Sequence, residues 1–229
     1  MTDEFSHAKV GVAVPHVELV CHTPNPEMMM SHVARVSNPK NQDNPEFERL
    51  LRYMVREKHY SPFEHASLTL KITSTLDIAT QILRHRSFTF QQLSRRYAGD
   101  KEAPVVIHMP ELRAPHPKNR QKSVETLPQE IQGTYAKHIN HLFTLAEELY
   151  QDMLADGVAK ECARAVLPQA TQTTLYMTGS CRSWLHYIAL RSGNGTQKEH
   201  MAVAEQAKGI FREVFPTVAA AMDDLNWEI

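Results

Sequence analysis

Apolar residues recur every three or four positions in five stretches of the chain, which predicts five helices. In the third stretch, for example, Leu76, Ala79 and Leu83 fall on one helical face. Gly157 and Pro216 are typical stops for the last two stretches, because glycine favours a helix C-terminus and proline cannot continue a helix. The predicted helices cover residues 26–36, 44–58, 75–86, 128–156 and about 198–215.

Alternation of apolar and polar residues predicts fewer strands. Leu68, Leu70 and Ile72 alternate with polar residues over 66–73. This mixture of elements favours an α+β fold over alternating βαβ units. The remaining candidates are a Thr-, Tyr- and Leu-rich strand at 170–178, a short third strand at 104–109 and a long functional loop with four prolines at 99–122.

The composition is that of an average globular protein. Hydrophobic residues make up 42% and charged residues 22% of the 229 residues, which excludes disordered and fibrous classes and predicts a single domain over 1–229. The net charge of −1 argues against a protein held mainly to nucleic acid or to an anionic membrane. Three cysteines, no two close in sequence, indicate a reducing compartment. Since no apolar run is typical of a signal peptide or a membrane span, we expect a cytoplasmic protein.

The densest polar cluster is residues 81–97, QILRHRSFTFQQLSRRY. It carries four arginines and no acidic residue. On the predicted helix, Gln81, Arg84 and His85 share one face. Because the guanidinium fork suits phosphate, the cluster predicts an anion-binding site. The other interpretation is an exposed helix C-terminus, where cationic side chains interact favourably with the helix dipole.

Two further groups have both a functional and a structural interpretation. His59, Glu64 and His65 surround a predicted helix break, and their spacing favours partly exposed histidines with a capping acid over a metal site. Arg164 and Arg191 stand in apolar surroundings, where each is either a structural ion pair or a ligand anchor. The sequence lacks the glycine-rich nucleotide motifs, so a nucleotide would be held by arginine side chains and helix ends.

The cluster that begins at Arg84 resembles the signature of the flavin-dependent thymidylate synthases, RHRxxSxNxxSxR. Gln81 stands three residues before this signature, as it does in the family. The resemblance spans about residues 30–215, in order and at compatible spacing. Four other segments resemble family patterns: ARVS at 34–37, SPFEH at 61–65, ARAVLP at 163–168 and, for the pattern RSxxxFxxxR, residues 182–191.

Several positions depart from the family pattern. Thr89 replaces a serine and keeps the hydroxyl, and Gln91 replaces an asparagine and keeps the amide. Gln92 stands where a glutamate is common, which changes one acidic contact to substrate or flavin. Ser180 stands where some members have an asparagine near the flavin. None of these departures removes an arginine of the phosphate site.

The resemblance implies an enzyme that methylates dUMP at the fifth carbon of the uracil to give dTMP. In such an enzyme 5,10-methylenetetrahydrofolate gives the one-carbon unit, NADPH reduces FAD, and the flavin supplies the hydride. The resemblance also implies long helices packed on a small mixed or antiparallel sheet. It implies a homotetramer whose active sites are shared between subunits, and no metal.

The resemblance assigns residues to three roles. The catalytic residues that it implies are Arg191, Ser94 and His59. Arg191 would bind the uracil ring. A cation there favours electron density on the ring oxygen or nitrogen, which makes the fifth carbon more nucleophilic. We take Ser94 as a ligand hydroxyl rather than a nucleophile, because no general base adjoins it in sequence. The flavin-binding residues implied are Ser37, Ser61, Glu64, Arg84, His85, Arg86, Gln91, Arg182 and His186. The dUMP-binding residues implied are Gln81, Arg84, Gln92, Leu93, Ser94, Arg95, Arg96, Arg164 and Arg191.

Two alternatives stay open at the level of sequence. A relative that binds flavin or nucleotide without turnover is compatible with Gln92 and Ser180. A nucleic-acid-binding module would use the arginine cluster with Phe88, Phe90 and Tyr97 as stacking platforms. The near-zero net charge and the lack of a known binding fold count against this module.

Overall fold

The computed structural model describes residues 15–99, 102–193 and 195–228. Helices and strands are mixed along these residues, so the α+β prediction is confirmed. The helices are α1 (Pro26–Ala34), α2 (Glu48–Arg56), α3 (Leu76–Ile82), α4 (Gln129–Ala155), α5 (Lys160–Ala163), α6 (Cys181–Arg191), α7 (Lys198–Val214) and α8 (Pro216–Asp223). The strands are β1 (His16–His22), β2 (Ser67–Thr75), β3 (Thr89–Gln92), β4 (Ala114–Pro115), β5 (Ser123–Val124) and β6 (Gln172–Ser180). Single 3₁₀ turns cover Pro39–Asn41, Ser61–His65 and Arg164–Val166.

Four of the strands form one sheet in the order β1-β2-β6-β3. The Cys181 N–H donates to the Ala66 carbonyl at 2.8 Å, and the Leu76 N–H donates to the Thr171 carbonyl at 3.0 Å. These bonds join the start of β2 to the end of β6 and the end of β2 to the start of β6, so the two central strands are antiparallel. β4 and β5 form a separate antiparallel pair.

The described chain divides into two compact units, each built from separate segments of sequence. The segments Thr73–Gln81 and Gln92–Thr174 belong to the first unit, and His16–Ile72, Ile82–Gln91 and Leu175–Ile229 form the second. The single domain expected over 1–229 stays a prediction. It includes the N-terminal segment 1–14, which lies outside the described residues.

The core of the second unit forms where β2 meets helices. The alternation that predicted this strand is the burial pattern observed, with Leu68, Leu70 and Ile72 fully buried. The Trp184 indole N–H donates to the Leu68 carbonyl at 2.9 Å, which joins α6 to the strand. Phe211 on α7 is also fully buried.

The core of the first unit forms on one face of α4. Tyr150 near the end of this helix packs in a buried cluster with Val105, Ile107 and Ala163. Gly157 follows α4 with φ +84°, the left-handed conformation that glycine adopts most readily, so the predicted stop is confirmed.

One strand prediction is wrong in part, and one strand was missed. Residues 104–109 form isolated bridges instead of a strand, among them Ile107 to Thr171, and the Pro104 carbonyl accepts the Arg95 guanidinium at 3.3 Å. β1 was not predicted. Its burial is concentrated at Val17, so the strand lacks the alternation that identifies a half-buried strand.

Candidate functional site

A cavity of about 440 Å³ opens in the second unit beside the start of α6. Its volume is within the range of small-molecule sites. Three of its lining residues, Glu64, Arg182 and His186, belong to the predicted flavin set. Arg182 and His186 are exposed and lie four residues apart on α6, so they share one helical face. The other lining residues are Tyr60, Ser87, Ser183 and Leu185.

Glu64 is the acidic centre of this cavity. One carboxylate oxygen accepts the Ser180 hydroxyl at 2.5 Å, and the other accepts the Arg182 guanidinium at 3.0 Å. Ser180 is also the N-cap of α6, since its hydroxyl oxygen accepts the Ser183 N–H at 3.2 Å. The Ser183 hydroxyl in turn donates to the Ser87 carbonyl at 3.0 Å. These contacts fix the start of α6, and with it Arg182, beside the 3₁₀ turn that carries Glu64.

The RHR segment that opens the signature, residues 84–86, lies in a turn and not on a helix. α3 ends at Ile82, and the His85 N–H donates to the Ile82 carbonyl at 3.1 Å, a bond across three residues. Gln81 therefore lies on α3, whereas Arg84 and His85 lie in the following turn. The prediction that these three residues share one helical face is wrong. Arg84 is exposed, as is Arg86.

Within this turn, His85 meets the last residue of α6. The Arg191 Nε–H donates to His85 Nε2 at 2.9 Å, and both side chains are half-buried. Burial, reinforced by the charges of Arg191 and His186, lowers the pKa of His85 to about 4. His85 is therefore a neutral acceptor at physiological pH. It occupies one N–H of Arg191 and leaves the terminal nitrogens of the guanidinium to other partners.

Several predicted dUMP-binding residues lie in the first unit. Exposed Arg96 contacts the Glu161 carboxylate of α5 through two nitrogens, at 3.0 and 3.2 Å. Arg164 follows α5 and is exposed. The Ser94 hydroxyl is a weak acceptor for the Arg96 N–H at 3.4 Å. Arg95 differs from its neighbour, because its side chain is buried and holds two backbone carbonyls of its own unit.

The remaining predicted residues occupy strands and turns. Gln92 is half-buried in β3 and donates to the Thr173 hydroxyl at 3.2 Å, and the Leu93 N–H donates to the Thr174 carbonyl at 2.9 Å. The other predicted residues share exposure to solvent. They are Ser37 in the turn after α1, His59 against the Tyr53 ring edge, Ser61 at the start of its 3₁₀ turn, and Gln91 on β3.

The described residues contain neither a cluster of metal ligands nor a membrane-spanning helix. Over the described ranges, no group of three or more His, Cys, Asp or Glu side chains is placed to hold a metal ion. Every helix in those same ranges is too short or too polar to span a bilayer.

Comparison with known proteins identifies the family. The family model described as "Thymidylate synthase complementing protein" matches residues 18–217. A probable flavin-dependent thymidylate synthase of Paramecium bursaria Chlorella virus 1 is 46% identical over 198 residues, which cover 86% of this chain and 90% of that protein. The flavin-dependent thymidylate synthase of Synechocystis sp. is 42% identical over 214 residues, 93% of this chain and 97% of that protein.

The chain belongs to the flavin-dependent thymidylate synthase family.

Solved structures agree with this assignment. The UMP/dUMP methylase PolB of Streptomyces cacaoi, bound with 5-Br dUMP, has a TM-score of 0.80 at 27% identity, covering 94% of this chain and 97% of that chain. The same methylase bound with 5-Br UMP has a TM-score of 0.82 at 26% identity, covering 95% and 98%. The expected fold of this family is thereby confirmed.

The structure adds cavity residues to which the sequence analysis gave no role. Tyr60, Ser87, Ser183 and Leu185 line the cavity of this family member, and of these only Ser183 is a fixed letter of a quoted family pattern. Tyr60 directly precedes the SPFEH segment and Ser87 directly follows RHR. Their position next to signature residues is the one signal that could have identified them.

Proposed function

We propose that this chain catalyses the reductive methylation of dUMP to dTMP, with 5,10-methylenetetrahydrofolate as one-carbon donor and NADPH, acting through FAD, as reductant. Membership of the flavin-dependent thymidylate synthase family supports the reaction class. The observation that carries the proposal for this chain is the cavity of the second unit, which Glu64, Arg182 and His186 line together. The identities of the flavin as FAD, of the one-carbon donor and of the reductant are part of this proposal.

The donors around the cavity suit a flavin. Arg182 and His186 can donate to carbonyl or phosphate oxygens, and Glu64 can accept from a ring N–H or a ribose hydroxyl. When bound, the flavin supplies the hydride chemistry, and the protein positions it. We assign to the same cofactor the half-buried His85 and five exposed side chains: Ser37, Ser61, Arg84, Arg86 and Gln91.

We assign the dUMP phosphate to Ser94, Arg96 and Arg164, with Gln81, Arg84, Gln92, Leu93 and Arg95 as further members of the predicted set. A phosphate would compete with Glu161 for Arg96, because both are anions suited to the same guanidinium fork. The terminal nitrogens of Arg191 would donate to the uracil and draw electron density onto its ring oxygen or nitrogen. Exposed His59 would border the flavin and the folate.

We further propose a homotetramer in the cytoplasm. The support for self-association is a row of exposed apolar side chains on α4, a kind of surface that commonly lies in an interface. Their exposed fractions range from 41% for Ile131 to 60% for Leu142. The other members of the row are Tyr135, Leu145 and Leu149.

The reaction is tested with the purified protein and FAD under anaerobic conditions. NADPH is added, and flavin absorbance is followed with and without dUMP. We expect bleaching that is faster with dUMP, and dTMP once methylenetetrahydrofolate is present. Binding of flavin without bleaching would identify a relative that has lost turnover, and no binding of flavin would overturn the proposal.

The assignment of Arg191 is tested by Arg191→Ala. We expect the rate of dTMP formation to fall by about 100-fold or more, since a charged donor to the reacting ring is lost. The matched control is Arg52→Ala, which removes an arginine of α2 that pairs with Asp224 at 3.1 Å. The control should keep the parent rate. A parent-like rate in Arg191→Ala would show that Arg191 does not address the uracil.

A further inference from the structure

A hydrogen-bonded Tyr–His pair lies next to the contact between His85 and Arg191. Tyr187 on α6 and His200 on α7 are both fully buried, with 0% of each residue exposed. The Tyr187 hydroxyl and His200 Nε2 are 3.1 Å apart. Burial raises the pKa of Tyr187, so the phenol keeps its proton at physiological pH. Burial, reinforced by the charge of Arg191, lowers the pKa of His200 to about 3, so the pair is a neutral hydrogen bond that ties two helices together.

Both rings of this pair pack on His85. The Tyr187 ring centroid is 4.9 Å from that of His85, with the ring planes at 78°. The His200 ring centroid is 6.2 Å away, with the planes at 88°. Edge-to-face contacts of this kind favour one ring orientation over others. The imidazole of His85 is therefore held from two helices.

The contact with Arg191 requires one proton arrangement on His85. Arginine only donates, so Nε2 of His85 must be the acceptor, and the ring proton must lie on Nδ1. The charged and titratable groups that act on His85 are Arg191 and His186 from α6 and His200 from α7. A rotated His85 ring would turn a donor or a carbon toward Arg191 and release its guanidinium.

We propose that Tyr187 and His200 are positioning residues that hold His85 with Nε2 toward Arg191 and thereby set the direction of the remaining Arg191 donors. That Arg191 acts on the uracil rests on the function proposed above; the hold on His85 does not. The family pattern RSxxxFxxxR has phenylalanine at the position of Tyr187. The hydroxyl that bonds His200 is thus a departure of this chain from that pattern.

The first variant is Tyr187→Phe, which removes the hydroxyl and keeps the ring. Loss of one neutral hydrogen bond corresponds to about a three- to ten-fold effect. We expect kcat for dTMP formation to fall by about that factor with little change in KM for dUMP, because the positioned donors act in the transition state. In the protein labelled with ¹⁵N-histidine, NMR should show the Nδ1–H tautomer of His85 in the parent and a mixture of tautomers in the variant.

Variants of His200 separate the hydrogen bond from the volume of the ring. His200→Gln keeps a polar group that can bond Tyr187 and should stay near the parent in kcat and in the His85 tautomer. His200→Leu removes the bond and also the ring contact with His85, so its loss in kcat should be at least that of Tyr187→Phe. The double variant Tyr187→Phe with His200→Leu should be little worse than His200→Leu alone, since both changes remove the same hydrogen bond.

The matched control is Tyr150→Phe. Tyr150 is also fully buried, and its hydroxyl has no hydrogen-bond partner among the described residues. Its change should leave kcat and the His85 tautomer unaltered. Parent-like kcat and an unaltered His85 tautomer in Tyr187→Phe would overturn the proposal. A lowered kcat together with a mixture of His85 tautomers in Tyr150→Phe would overturn it as well. If the parent makes no dTMP but the tautomer responds as expected, the proposed function has failed and the positioning of His85 stands.

Discussion

Gly179 lies where a close approach excludes any side chain. A Cβ at this position would lie 2.5 Å from two atoms of the Phe88 ring, well inside normal contact distance. Phe88 packs edge-to-face on Trp184 at 4.9 Å and on His85 at 6.4 Å. The missing side chain of one glycine therefore lets an aromatic ring reach both the core of the second unit and the signature turn.

We predict that Gly179→Ala lowers the free energy of unfolding by about 1–3 kcal/mol, because the methyl group must displace a packed ring. Urea unfolding of the parent and the variant measures the difference. Gly133→Ala is the control, since nothing lies within 4 Å of a Cβ there and the residue is inside α4. It should stabilise the protein by up to about 1 kcal/mol. Equal effects of the two changes would contradict the packing argument.

Two neighbouring arginines have different environments that the sequence alone could not distinguish. Arg95 and Arg96 look equivalent as letters, yet one is buried against backbone carbonyls and the other is exposed beside Glu161. Arg95 thus has a structural contact within its own unit, and its assignment to dUMP stays a prediction. Glu64, Arg182 and His186, which the sequence analysis assigned to the flavin, line one cavity, and their flavin role stays a prediction. Glu64 and Arg182 are fixed letters of the family patterns, whereas His186 stands at a variable position. No pattern in the sequence indicated that Ser180 bonds Glu64.

Helices were predicted well where a periodic apolar face is long, as in α4 and α7. α2 begins at Glu48 instead of at 44, because the preceding residues bond elsewhere. The Arg35 guanidinium donates to the Asn44 and Glu46 carbonyls, each at 2.5 Å, and the Asn44 side chain accepts the Glu46 N–H at 2.8 Å. Such contacts from a side chain to the backbone leave no periodic signal in the sequence.

At the scale of an element, α8 depends on a carboxylate from another helix. Glu27 of α1 is 6% exposed, and its Oε1 accepts the Val218 N–H in the first turn of α8 at 2.9 Å. An anionic acceptor at a helix N-terminus is favourable, but burial of the charge is not. Burial outweighs the hydrogen bonds, so the pKa of Glu27 is raised from 4.5.

We predict opposite results for two substitutions of Glu27. Glu27→Ala leaves the Val218 N–H without its acceptor and should lower the free energy of unfolding by about 1–3 kcal/mol. Glu27→Gln keeps an acceptor and removes the buried charge, so at pH 7 its stability should equal or exceed that of the parent. Urea unfolding of the three proteins at matched pH measures both effects.

The pH dependence gives this prediction its sign. An acid with a higher pKa in the folded chain binds more protons when folded, so folding gains as pH falls from neutral toward 4.5. The parent should therefore gain stability relative to Glu27→Gln over that window. If the free energy of unfolding of the parent instead falls relative to that of Glu27→Gln as pH falls, the pKa of Glu27 is lowered.

At the scale of the whole molecule, the sequence indicated the family and the class of fold but not the division into two units. Each unit combines segments that are far apart in sequence, and no composition shift marks their borders. Gln81 and Ser94 belong to the first unit, whereas His85 and Arg191 belong to the second. Periodicity is a local signal, so it cannot assign a residue to a unit built from distant segments.

The single domain expected over 1–229 predicts one cooperative unfolding transition, and the chain offers one probe of the second unit alone and one to which both units contribute. Both tryptophans of the sequence, Trp184 and Trp227, lie in the second unit, and the 27-residue helix α4 lies in the first. Tryptophan fluorescence therefore reports on the second unit, and circular dichroism at 222 nm has a large contribution from the first. At one fixed protein concentration, the two midpoints in urea should coincide.

A core variant of the first unit completes the test. Val105 is 6% exposed in the cluster around Tyr150, so Val105→Ala should lower the free energy of unfolding by roughly 1–3 kcal/mol. If the chain is one domain, the fluorescence midpoint must shift with the circular dichroism midpoint, although the tryptophans lie outside the altered unit. A fluorescence transition that stays in place while the circular dichroism transition moves would identify two domains that unfold independently.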